Sequence, residues 1–162
     1  MAPSLERLAG KRLERAVRTL LVTLGFSTIV LPFVGRVPVL RHLAWPFETW
    51  FAWQCHREVG RTFLLFGQAM PVCSRCFGIY LGLGLGALIL RPRLEVWPLR
   101  IWVAFGAVAM LLDVATEGLA MRPPSGWVRL VTGLVLSYPV GAALVLAARG
   151  DEPAPPVTAS GG

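Results

Sequence analysis

Residues 99–120 read LRIWVAFGAVAMLLDVATEGLA, and the only charges in this stretch are Arg100, Asp113 and Glu117. A helix needs about 20 largely apolar residues to cross a bilayer, and this run supplies them. Asp113 and Glu117 are four apart and so share one helical face. A carboxylate inside a membrane helix is costly, so it faces the bundle interior and is a candidate functional group by default. With Leu99 toward the cytoplasmic side, Asp113 falls in the outer half of the membrane and Glu117 near its outer interface.

Three further apolar runs flank this one. Thr19 to Val34 (TLLVTLGFSTIVLPFV) reaches spanning length once Ala16 to Arg18 are included. Pro32, Phe33, Gly35 and Arg36 close it where a signal peptide would show a small-residue cleavage site, so a retained helix is predicted. Cys76 to Leu90 (CFGIYLGLGLGALIL) spans only about 22 Å against a hydrocarbon core of roughly 30 Å, so its cysteine end is expected below the membrane surface. Leu130 to Ala148 is the last run. The fold class expected is therefore all-α: a polytopic membrane protein with four transmembrane helices near 16–35, 76–90, 99–120 and 130–148. These form one domain over 19–148, behind a basic segment 1–18 and ahead of a tail 149–162 rich in Pro, Gly and small residues, expected to be disordered. Between the first two helices lies an extracytoplasmic loop that carries cysteine and histidine. Within it Val39 to Gln54, with Trp45, Phe47, Trp50, Phe51 and Trp53, reads as an interfacial or re-entrant helix. Gly78, Gly82 and Gly86, with Gly84 offset, give the second helix a small-residue face for packing within the bundle. The two halves do not resemble each other, which leaves an inverted-repeat transporter unsupported.

Composition supports the same class. The 162 residues are 55% hydrophobic and 15% charged, against roughly 45–50% and 25% in an ordinary soluble domain. Mean hydropathy is +0.62. The bulk of such a chain is not disordered. The net charge is +7, but the basic residues are scattered between apolar blocks instead of forming one stripe, which argues against nucleic acid and for the lipid bilayer as partner. Three cysteines are too few for a disulfide-stapled scaffold. An even number of crossings puts both termini on one side. Arg7, Lys11, Arg12, Arg15 and Arg18, beside the first helix, assign that side to the cytoplasm of a multi-pass cell-membrane protein.

All three cysteines lie in one segment: Cys55-His56 and then Cys73-Ser74-Arg75-Cys76-Phe77-Gly78. Two cysteines separated by two residues can clasp one metal ion across a tight turn, and three sulfurs plus an imidazole meet the tetrahedral preference of zinc. Cys55, His56, Cys73 and Cys76 are thus candidate ligands, although adjacent Cys55 and His56 do not easily point at one ion. Arg57, Arg61 and Arg75 could offset the negative charge of three thiolates; headgroup contact is the plainer explanation of them. A redox role stays open, because a C-x-x-C at a helix start can have a lowered thiol pKa. Membrane thiol oxidoreductases relay through a second cysteine pair, and here only Cys55 is left for it. Packed, inert thiols are the remaining alternative. Arg129 opens the last helix at the depth of Asp113 and Glu117 and could pair with either carboxylate; an Asp113–Arg129 ion pair could lock the bundle.

At these residues the chain resembles a family of predicted integral membrane proteins, domain of unknown function 2085. The resemblance rests on Cys55-His56, Arg61-Thr62-Phe63, Cys73-Ser74-Arg75-Cys76, Gly78-Ile79-Tyr80-Leu81-Gly82, Asp113 with Thr116, and Arg129-Leu130-Val131-Thr132-Gly133. It covers about residues 50 to 141. Arg57 and Glu117 stand where the family has Gln, and Val114 where it has Gly. The resemblance supplies no activity, but it implies that the cysteine and carboxylate constellations belong to one site.

Three functions are compatible with these residues. In a metal-dependent membrane enzyme the ion activates water or polarises a carbonyl or phosphoryl group of a lipid-like or other small molecule. There Asp113 or Glu117 is the base, and Arg129 clamps the oxyanion or a phosphate. In a non-catalytic protein serving assembly or transport, a closed zinc site staples the loop to the second helix. In a thiol–disulfide oxidoreductase, Cys73 and Cys76 exchange a disulfide.

Overall fold

A computed structural model describes residues 2–35, 37–55, 59–90 and 95–149. In chain order the elements are α1 (Ala2–Val34), α2 (Arg41–Gln54), a 3-10 turn (Val59–Arg61), the two-residue strands β1 (Leu64–Leu65) and β2 (Gln68–Ala69), α3 (Ser74–Ile89), α4 (Val96–Gly118) and α5 (Gly126–Arg149). The all-α expectation holds, with one minimal hairpin added. Its strands pair antiparallel, Leu64 with Ala69 and Leu65 with Gln68. Phe66 (φ 51°) and Gly67 (φ 77°) make the turn, in the left-handed pair of conformations that suits a two-residue hairpin loop.

Three helices are long and apolar enough to cross a membrane: Ala9–Val34 within α1, Val96–Gly118 and Gly126–Arg149. The four expected from sequence are corrected to three on this criterion. The run over 76–90 forms α3, whose 16 residues span about 24 Å. Hydropathy alone also misplaces several helix starts. α1 extends back through the basic segment to Ala2, because charged residues such as Glu6, Lys11 and Arg15 are good helix formers. The aromatic segment forms α2, as expected. The tail 150–162 lies outside the described residues.

α1, α3, α4 and α5 alternate in direction. The outer end of α1 (Leu31, Val34) packs with Phe51 of α2, with Cys55 and Val72, and with the first turns of α3. The far end of α3 (Ala87) and its cap Leu90 pack with Val17 and Leu21 of α1 and Val145 of α5. At this second end Arg18 Nε donates to the Ala87 carbonyl at 3.1 Å, and Arg149 donates to both carboxylate oxygens of Glu14 at 3.1 Å.

Glycine sets the closeness of the core. Gly78, Gly82 and Gly86 of α3 face Leu130, Ser137 and Tyr138 of α5, so near that a side chain would strike backbone or the Ser137 hydroxyl. The approach is reciprocal, since a Cβ on Gly133 would lie 2.6 Å from the Arg75 carbonyl oxygen. Gly84 turns instead to α1, opposite Gly25. Small residues that let helix backbones meet are how apolar helices gain packing energy when lipid is as apolar as leucine. α4 packs on α5 through Gly106, where a Cβ would come within 2.8 Å of Leu136 Cα, and through the Trp102 indole, which donates to the Val135 carbonyl at 2.9 Å. Its other face, including Ile101, Phe105 and Leu111, is exposed.

Candidate functional site

The three cysteines come from two elements joined by the hairpin segment. Cys55 caps the C-terminus of α2 in an extended conformation (φ −130°, ψ 128°), and its N–H donates to the Phe51 carbonyl. Cys73 caps the N-terminus of α3 (φ −67°, ψ 161°). Cys76 follows within the first turn, where Phe77 N–H closes on the Cys73 carbonyl at 2.8 Å. The extended cap turns the chain so that both side chains stand at the mouth of the helix. Cys73 N–H then donates to Cys55 Sγ at 3.2 Å, tying the two elements through sulfur. All three sulfurs lie within 4.8 Å of one another and could hold a metal ion.

The environment of the thiols is mostly apolar. Cys55 is buried, among Leu31, Ala44, Phe51 and Val72, with Cys73 and Cys76 packed against the same cluster. Phe51 meets the Tyr80 ring at 5.0 Å, and the Tyr80 hydroxyl donates to Gln54 Oε1 at 2.5 Å. The Cys73 thiol is nevertheless held down to about 5. Hydrogen bonding from the Cys76 thiol is the main cause; burial opposes it, and the backbone amides of the helix start and the Cys55 thiol assist. A thiol lowered in this way is a ready metal ligand. His56, the fourth candidate ligand, lies outside the described residues, as does Arg57.

Asp113 and Glu117 do share a face of α4, and they meet arginines from four other places. Arg75 Nη2 of α3 contacts Asp113 Oδ2 at 2.6 Å and reaches Glu117 Oε2 at 3.9 Å. Arg122, in the loop after α4, contacts Asp113 Oδ1 and donates from Nε to Thr116 Oγ1 at 3.2 Å. Arg129 of α5 forks onto Glu117, with Nε donating to Oε2 at 2.8 Å. Arg61 of the 3-10 turn approaches Glu117 Oε1 at 3.9 Å. Asp113 and Arg129 are both almost fully buried, 4% and 3% exposed. The Asp113–Arg129 pair expected from their depth is thus replaced: Arg129 pairs with Glu117, while Asp113 takes Arg75 and Arg122. Residues 119–125 turn back over the end of α4 and carry Arg122 to its first carboxylate, and no sequence period announces such a turn.

Arg75 is the residue whose role spacing could have revealed. It sits inside the C-x-x-C, but a helical residue is rotated by about 100° from the next. Cys73 and Cys76 therefore face α1 and α2, and Arg75 faces α4. The two constellations stand back to back on one turn of α3, joined by backbone instead of lining a single cavity.

Fold and site together define a class: a helical bundle built to cross a membrane, with a thiol cluster and an arginine–carboxylate network at one end. The sequence model of the family described as predicted membrane protein, DUF2085, matches residues 55–143, and the chain belongs to this family. The match begins at Cys55 and includes every residue of both clusters. Among curated proteins the chain is similar to an uncharacterized protein of Methanocaldococcus jannaschii, 31% identical over 90 residues, which are 53% of this chain and 58% of that protein. It is likewise similar to an uncharacterized protein of Methanothermobacter thermautotrophicus, 36% identical over 90 residues, 52% of this chain and 78% of that protein. The aligned stretch therefore spans little more than half the length of the first relative. No solved structure matches.

Proposed function

We propose that the protein is a multi-pass protein of the cell membrane, with both termini cytoplasmic, whose extracytoplasmic end is stapled by zinc held on Cys55, Cys73, Cys76 and His56. One observation carries this: three sulfurs from two elements lie within 4.8 Å of one another inside an apolar cluster. Zinc suits such a donor set because thiolate and imidazole are its usual structural ligands and it needs no redox partner. It would offset most of the thiolate charge and fix the hairpin segment to α3. On this proposal α3 is a fourth crossing, recessed at its cysteine end and covered there by α2.

The staple is favoured over a metal-dependent enzyme by where the carboxylates are spent. Asp113 is engaged by Arg75 and Arg122, and Glu117 by Arg129. With those arginines on them both carboxylates are held in ion pairs, which supports a structural part for the metal over a catalytic one. The staple also gives the protein a non-catalytic part in assembly or transport.

Cobalt substitution tests the site. We expect intense thiolate-to-cobalt absorption in the purified protein, weakened in Cys73→Ser and shifted in His56→Ala. Absence of those bands, together with a Cys73–Cys76 disulfide in protein isolated without reductant, would replace the staple by thiol exchange. Reporter fusions at either terminus test the topology: cytoplasmic signal from both is expected, and opposite signals would contradict it.

A further inference from the structure

The arginine–carboxylate network carries more positive charge than packing requires. Among the described residues four guanidiniums (Arg61, Arg75, Arg122, Arg129) converge on two carboxylates (Asp113, Glu117). Arg75 and Arg122 are only 22% and 27% exposed beside the nearly buried Asp113, and positive charge held in such a place favours a further anion. The N-termini of α3 and α5 open at the same end, adding partial positive charge of the same sign. Two buried polar atoms on the first turn of α3, Ser74 Oγ and Arg75 Nε, have no hydrogen-bond partner among the described residues.

We propose that this network is an anion site that takes a phosphate group. Guanidinium forks match phosphate oxygens two at a time, which a point-charge ammonium does not. The carboxylates are positioning residues: Glu117 holds Arg129, and Asp113 holds Arg75 and Arg122. Accessibility is graded in the way a docking anion needs. The Arg129 side chain is 3% exposed, those of Arg75 and Arg122 22% and 27%, and that of Arg61 53%. Leu119, Met121 and Trp127, close to Arg122 and Arg129 in sequence, are exposed, and the Trp127 ring meets that of Phe63 tilted by 52° at 5.2 Å. An apolar margin beside a phosphate pocket suits a phosphate that hangs from acyl chains, although free phosphate satisfies the same donors. The inference goes beyond the zinc staple and does not depend on it.

Protein in neutral detergent is titrated with inorganic phosphate, and protein in nanodiscs of phosphatidylcholine is compared with and without phosphatidic acid. The reading is the thermal unfolding midpoint as a function of concentration. We expect saturable stabilisation in at least one arm, with apparent affinity weakened about tenfold or more in Arg61→Gln and Arg122→Gln. Arg100→Gln, an exposed arginine at the opposite end of α4, should leave it unchanged. Arg61 is exposed enough for its variant to keep the fold, so failure to fold in Arg122→Gln would still leave the question answerable. Stabilisation in both arms assigns the site to phosphate as such, and stabilisation by phosphatidic acid alone assigns it to a lipid headgroup. No saturable effect in either arm, or equal weakening by Arg100→Gln, overturns the proposal.

Discussion

Both ends of the bundle join arginine to carboxylate, and the joints differ in kind. At the α1–α5 end the buried Glu14 takes two hydrogen bonds from Arg149 across two helices, with Arg149 37% exposed and the charges of Arg18 and Arg15 also acting on it. The neighbouring cations Lys11, Arg12 and Arg15 lie exposed on the outer flank of α1. At the cysteine end the cations turn inward, and four of them share two acids. A pair whose arginine is open to water locks helices and does little else. An unbalanced, buried network has a surplus that invites a ligand. Intramembrane charge alone does not separate structural from functional residues; the burial of a surplus does.

The largest effect that could break this contrast comes from Asp113→Leu. It strands Arg75 and Arg122 without their carboxylate, and breaking a buried pair on one side costs about 3–5 kcal/mol. We expect a loss near the lower figure, since both arginines keep some access to water, read as reduced stability to chemical unfolding in detergent. Indifference would place the network outside the folded core. Next come the glycines that hold the two ends in register. Gly78→Ala and Gly86→Ala each push a methyl into the α5 backbone, and overpacking of this kind costs about 1–3 kcal/mol. Gly118→Ala, at a position with nothing within 4 Å of an added Cβ, should cost far less in the same assay. Equal losses would mean that close approach does not govern these sites, since helix propensity by itself favours Ala over Gly. The smallest effect belongs to the Glu14 end. Glu14→Gln removes one partner of a pair whose arginine is over a third exposed, for about 1 kcal/mol or less. A loss matching that of Asp113→Leu would erase the distinction between the ends.

Much of this architecture is legible in the residues. Runs of apolar residues mark α1, α4 and α5, and the four-residue glycine spacing of α3 marks its packing face. Helix starts are less legible: α4 begins at Val96 and α5 at Gly126, ahead of the apolar runs, because first turns at a membrane boundary carry Trp, Pro and Arg that hydropathy discounts. The site divides in the same way. C-x-x-C spacing and a lone third cysteine point to one thiol cluster, since both ends of the spacing fall at one helix mouth. The pairing of charges depends on how residues 119–125 fold back, so Arg122 was invisible as a partner of Asp113. Arg75, seen only as a flank of the cysteines, proves to hold the two clusters together through one helical turn.

Elemental mass spectrometry of detergent-purified protein tests the thiol site most directly, with Cys73→Ser and Asp113→Asn measured beside the parent. One zinc per chain in the parent and in Asp113→Asn, and none in Cys73→Ser, is the expected result, because the sulfurs and carboxylates occupy opposite sides of α3. A metal-free parent would contradict the staple. Zinc lost from Asp113→Asn while the protein stays folded would contradict the separation of the two clusters.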